Sequence, residues 1–141
     1  MKHILTFFIL FGLLNLSISQ QNNDWKGVFL DPTGNHIQQG VEAYFKTSVC
    51  EGKEVVLLKF VNNNNYNVEL SWFNAYFTSS KTWVKHNKPE QQVVFYLPAN
   101  TVSEGNCQNN TQLVFALDEV DLTANTFLRL TTEYLRIKKM D

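Results

Sequence analysis

The stretch EVVLLKFVNNNNYNVELSW, residues 54–72, holds two apolar runs separated by four consecutive asparagines. In the first run Val56, Leu58 and Phe60 fall on one side of an extended chain, with Val55, Leu57 and Val61 on the other. A strand covered on both faces has that composition. In the second run Tyr66, Val68, Leu70 and Trp72 alternate with Asn67, Glu69 and Ser71, the period of two that marks a half-buried strand. The asparagines between them, residues 62–65, are turn chemistry. Asn tolerates the left-handed backbone, and its side chain bonds to nearby main chain. Two alternating runs about such a turn predict a β-hairpin. The competing reading is a polar recognition loop, in which the amides of Asn63 and Asn64 meet a sugar or a partner.

The same period extends in both directions. Val41, Ala43, Phe45 and Val49 point one way while Glu42, Lys46 and Ser48 point the other. Upstream, a short apolar run at residues 28–30 leads into Asp31-Pro32-Thr33-Gly34, a type I turn sequence. Beyond Trp72 the alternation slips at Phe73 and Asn74, which predicts a bulge. Extended chain continues through Phe77, turns at Ser79 and Ser80, and resumes over residues 81–84. QVVFYLP and TQLVFAL read as two further strands, and residues 127–137 as a last one, alternating through Leu128, Leu130 and Tyr134. No window carries a sustained helical period. The expected fold is all-β, an antiparallel sandwich of about seven strands with Trp72 in its core.

The first 19 residues have another logic. Lys2 precedes an apolar run over residues 4–14, and Ser17 and Ser19 stand where a small-x-small cleavage site belongs. That layout predicts a secretory signal peptide over residues 1–19 and one domain over residues 20–141. The apolar run is shorter than the roughly 20 residues a membrane span needs. Secretion or a periplasmic location follows, and it decides how the two cysteines read. In an oxidising compartment Cys50 and Cys107 form one disulfide. The chain has 12 Lys and Arg against 13 Asp and Glu, and removing Lys2 leaves the mature domain at about minus two. Such a balance favours neither nucleic acid nor an anionic membrane.

Cys50, Trp72 and Cys107 in that order, among some seven strands, resemble an immunoglobulin-like or fibronectin type III-like sandwich over residues 40–139. Each cysteine lies close to a glycine, in VCEGK and SEGNC, so the bridge is expected to tie loops at one end of the sandwich. The leader, CEGKEVVLLKFVNNNNYNVELSW and LPANTVSEGNC are also similar to small exported proteins of the Bacteroidetes type. That resemblance implies compartment and fold, and no reaction.

Chemistry is sparse. His36 and His86 sit in polar loop sequence, outside any nucleophile motif. Asp118, Glu119 and Asp121 form the one acidic cluster. It lacks the ligand rhythm of a calcium loop, so a solvated turn competes with a weak metal site. No cofactor motif is present, and none is expected. Asn109-Asn110-Thr111 is a glycosylation sequon, relevant in a eukaryotic secretory pathway. Aromatics are the remaining signal: Phe73, Tyr76, Phe77 and Trp83 crowd one hairpin, and strand alternation forbids burying all of them together. One subset belongs to the core; another, with Asn63 and Asn64, is the expected binding surface. The function expected is an exported, non-catalytic module that binds a partner protein or a cell-envelope glycan. A small secreted hydrolase and a structural envelope subunit are the alternatives.

Overall fold

A computed structural model of the protein describes residues 24–81, 83–86, 88–117 and 127–141. The expected signal peptide and the acidic cluster Asp118, Glu119 and Asp121 lie outside the described residues.

Among the described residues ten strands run in chain order: β1 (Lys26–Gly27), β2 (Ile37–Gln38), β3 (Val41–Cys50), β4 (Lys53–Asn62), β5 (Val68–Thr78), β6 (Trp83–Lys85), β7 (Val93–Leu97), β8 (Val102–Glu104), β9 (Val114–Ala116) and β10 (Phe127–Lys139). They form two sheets, and every strand pair is antiparallel. In the first sheet β3 and β4 are central; β1 and β2 share the outer edge of β3, and β8 and β9 share that of β4. In the second, β5 is central, with β10 on one side and β6 and β7 on the other. The count exceeds the expected seven because three lanes are each broken in two by a loop that leaves the sheet and returns.

The sheets face one another across a single apolar cluster. Val41, Ala43, Phe45, Val56, Leu58 and Phe60 enter from the first sheet, and Val68, Leu70, Trp72, Tyr76, Leu97 and Leu130 from the second. Trp72 is fully buried, its ring 5.1 Å from that of Phe60. Val49 departs from expectation: it is 62% exposed, because β3 runs on past the facing sheet towards Cys50. Cys50 is bonded to Cys107, which lies in the excursion between β8 and β9. The bridge thus ties a strand end to a loop.

The asparagine stretch is not a hairpin. β4 and β5 belong to different sheets, so residues 63–67 cross from one layer to the other. Alternation reports that a strand has one buried face, and it is the same for strands paired side by side or stacked face to face. Asn62 is 1% exposed, and its amide nitrogen reaches the carbonyls of Tyr66, Leu97 and Pro98 at 2.9–3.3 Å. Its side-chain oxygen accepts from the main-chain and side-chain nitrogens of Asn64, both at 3.0 Å. Asn64 also donates to the carbonyl of Gln39 at 2.9 Å, and Asn67 accepts from the Ala99 amide at 3.0 Å. Gly40 is needed beside this knot: its φ is +74°, and a Cβ there would stand 2.5 Å from the Asn64 side-chain oxygen. Removing one partner from a buried polar network costs more than the bond itself contributes. Asn62→Ala is therefore expected to lower unfolding free energy by about 2–3 kcal/mol. Urea denaturation checks this, with the exposed Asn63→Ala as control, expected within about 0.5 kcal/mol of the parent.

The slip at Phe73 and Asn74 also has a different origin. β5 carries no bulge: Trp72, Asn74, Tyr76 and Thr78 all lie buried on its inner face, and the small Ala75 is buried on the outer one. Asn74 is a polar residue on the inner face, and its side-chain oxygen accepts the Trp72 indole N–H at 2.9 Å. The bulges lie in the partner strand. Tyr134 and Leu135 together oppose Trp72, and Leu128 is an extra residue between Phe127 and Arg129. Tyr134 has φ +54°. Leu128 and Tyr134, expected to alternate inward with Leu130, are exposed for this reason.

Candidate functional site

The chain between β1 and β2 leaves the first sheet and touches the second. Val28 and Leu30 point into the core, which turns Phe29 outward. Phe29 forms an isolated parallel bridge with Thr131 of β10: its carbonyl accepts from the Thr132 amide at 3.2 Å, and its amide donates to the Leu130 carbonyl at 3.4 Å. The expected turn follows. Asp31 Oδ1 accepts from the Thr33 amide at 2.8 Å, the Thr33 hydroxyl at 2.6 Å and the Asn35 amide at 3.2 Å, and Oδ2 accepts from Asn35 Nδ2 at 2.9 Å. Those bonds, chiefly the side-chain ones from Thr33 and Asn35, hold the carboxyl down at about 2. Asp31 is ionised throughout the ordinary pH range, and its oxygens are engaged within its own turn.

Beside this turn lies the outer face of the second sheet. Strand register places Trp83, Phe77 and Arg129 in one cross-strand row, and Lys85, Ala75 and Thr131 in the next. The Arg129 guanidinium carbon stands 4.9 Å from the Phe29 ring centre, 4.8 Å from Phe77 and 5.4 Å from Trp83. Each contact is a cation–π interaction, strengthened where rings exclude water. Lys85 Nζ meets Glu133 Oε1 at 2.6 Å, over the small Ala75. That carboxylate holds the Lys85 ammonium above its usual range. Farther along, the Phe73 ring meets Tyr134 edge-on at 6.3 Å.

Turn and sheet enclose a cleft of about 560 Å³, with Phe29, Asp31, Trp83, Arg129, Glu133 and Tyr134 among its lining residues. Trp83 is 41% exposed and Tyr134 74%. Two aromatic surfaces thus stand open to solvent beside the charged Arg129, Lys85 and Glu133.

The expected binding residues divide. Trp83 lines the cleft; Phe77 and Phe73 do not line it, but Phe77 lies against Arg129 and Phe73 against Tyr134, which do. Tyr76 is 1% exposed and belongs to the core; its neighbours along β5 alternate, so it cannot share the outer face with Phe77. Asn64 is committed to the knot beneath the crossing loop, and the exposed Asn63 donates to Glu42 at 2.8 Å on the first sheet, remote from these aromatics in the topology. Sequence reasoning missed Phe29, Arg129 and Glu133. A lone Arg between Leu128 and Leu130 was the one signal available, and it says nothing of the rings that meet it.

His36 and His86 do not line the cleft. His36 packs against Tyr44, whose hydroxyl donates to Glu42, and His86 lies against Tyr76 and Phe115. Among the described residues no group of three or more His, Cys, Asp or Glu is placed to hold a metal ion. No protein-family model, curated protein or solved structure matches the chain.

Proposed function

We propose that this protein is an exported, non-catalytic binding module of the kind its leader resembles, and that it takes a cell-envelope saccharide in the cleft between the Asp31 turn and strands β6 and β10. The exposure of Trp83 and Tyr134 around that cleft carries the reading. Indole and phenol rings left open to water are suited to the apolar faces of a sugar, and the charged and hydroxyl groups between them to its hydroxyls. The disulfide supports an oxidising compartment. Among the described residues no helix is long and apolar enough to cross a membrane.

A glycan array with the purified protein, followed by Trp83→Ala, is the test. Trp83→Ala is expected to weaken binding about tenfold, equivalent to about 1.4 kcal/mol, with the fold intact by circular dichroism. Recovery of a protein partner from envelope extract, with no saccharide bound, would replace this reading. Turnover of an ester or glycoside substrate would move the protein to the hydrolase alternative.

A further inference from the structure

We propose that the ligand carries a carboxylate, and that Arg129 is the residue that reads it: the occupant is an acidic saccharide of the uronic acid type. This rests on the saccharide reading of the same cleft.

The other charges of the cleft are satisfied from within. Asp31 takes four hydrogen bonds from its own turn, and Lys85 and Glu133 neutralise one another. Arg129 differs. Among the described residues its guanidinium makes no hydrogen bond or ion pair, and its Nε is buried without an acceptor. A guanidinium has five donors in one plane and is always charged. Phe29, Phe77 and Trp83 surround its central carbon at 4.8–5.4 Å, and rings satisfy the charge without supplying the acceptors its N–H groups require. The group that matches a guanidinium is a planar oxyanion bonded through two oxygens, as a carboxylate is. A neutral sugar offers single hydroxyls and no such pair of acceptors. Arg129 is half-buried between these rings, where a charge pairs more strongly than it does in bulk water.

The test compares galacturonic acid oligomers with their carboxyl-reduced counterparts by titration calorimetry on the wild-type protein. The acidic oligomers are expected to bind at least about tenfold more tightly, equivalent to about 1.4 kcal/mol. R129Q should bring the ratio of acidic to reduced affinity to about one within the variant itself, while R129K should keep part of the difference. The wild-type comparison stands even where a variant fails to fold. Equal binding of acidic and reduced oligomers, or a preference that survives in R129Q, overturns the assignment of Arg129 and leaves the saccharide cleft standing. Binding of neither kind overturns the cleft reading itself. A second arm uses peptides with free or amidated C-termini: a preference for the free acid there, with none among the sugars, assigns the carboxylate to a protein chain end and overturns the acidic saccharide.

Discussion

Replacing Trp72 with alanine is expected to lower the free energy of unfolding by about 5 kcal/mol. Truncating a buried Trp to Ala removes about 3–5 kcal/mol through lost transfer energy and the cavity left behind. Trp72 is fully buried and packs on Phe60 across the two sheets. The same change strips Asn74 of its indole donor, and an unmet polar atom in the core adds about 1–3 kcal/mol. Since folded domains are stable by only about 5–15 kcal/mol, the variant stands near the edge of folding at room temperature. Denaturant unfolding measures it, and Trp72→Phe, which keeps most of the volume, should lose about half as much. A loss below about 2 kcal/mol for the alanine variant would mean that the two sheets close over the gap.

The second large effect belongs to the bridge. Cys50 and Cys107 are 57 residues apart in sequence. In the chain-entropy account, closing a loop of that size restricts the unfolded ensemble by about 4 kcal/mol. The Cys50→Ser, Cys107→Ser double variant is expected to melt about 15 °C lower than the parent, given the size of the domain. Reductant added to the parent should reproduce that shift, because both treatments release the same constraint. Neither cysteine lines the cleft, so ligand affinity below the new midpoint should be unchanged. A midpoint indifferent to reductant would show that the unfolded chain is already compact about these residues.

Strands, core and disulfide were legible in the chain because each depends on local pattern or on a count of two. Pairing was not. The runs on either side of residues 62–65 alternate correctly, yet they lie in facing sheets, since a period of two marks a buried face and leaves the neighbour open. Asn74 looked like a break because hydrophobicity was taken as the mark of the inner face, whereas a buried indole N–H requires one polar residue there. Leu128 and Tyr134 were misplaced because a bulge in β10 depends on the register with β5, a partner some fifty residues earlier. The cleft was half legible. Phe77 and Trp83 are hairpin neighbours, and their crowding showed in the sequence. Arg129 acquires its setting from Phe29, brought to it by the bridge between Phe29 and Thr131.

That bridge joins positions 102 residues apart, and its consequence lies in time as much as in space. Contacts so distant along a chain form only after the entropy of closing a very large loop has been overcome, and topologies dominated by them fold over milliseconds to seconds. The recess around Arg129 therefore cannot assemble as a local unit: it exists only once the segment after β1 has docked on β10, so its ligand reports on the closure of the whole chain.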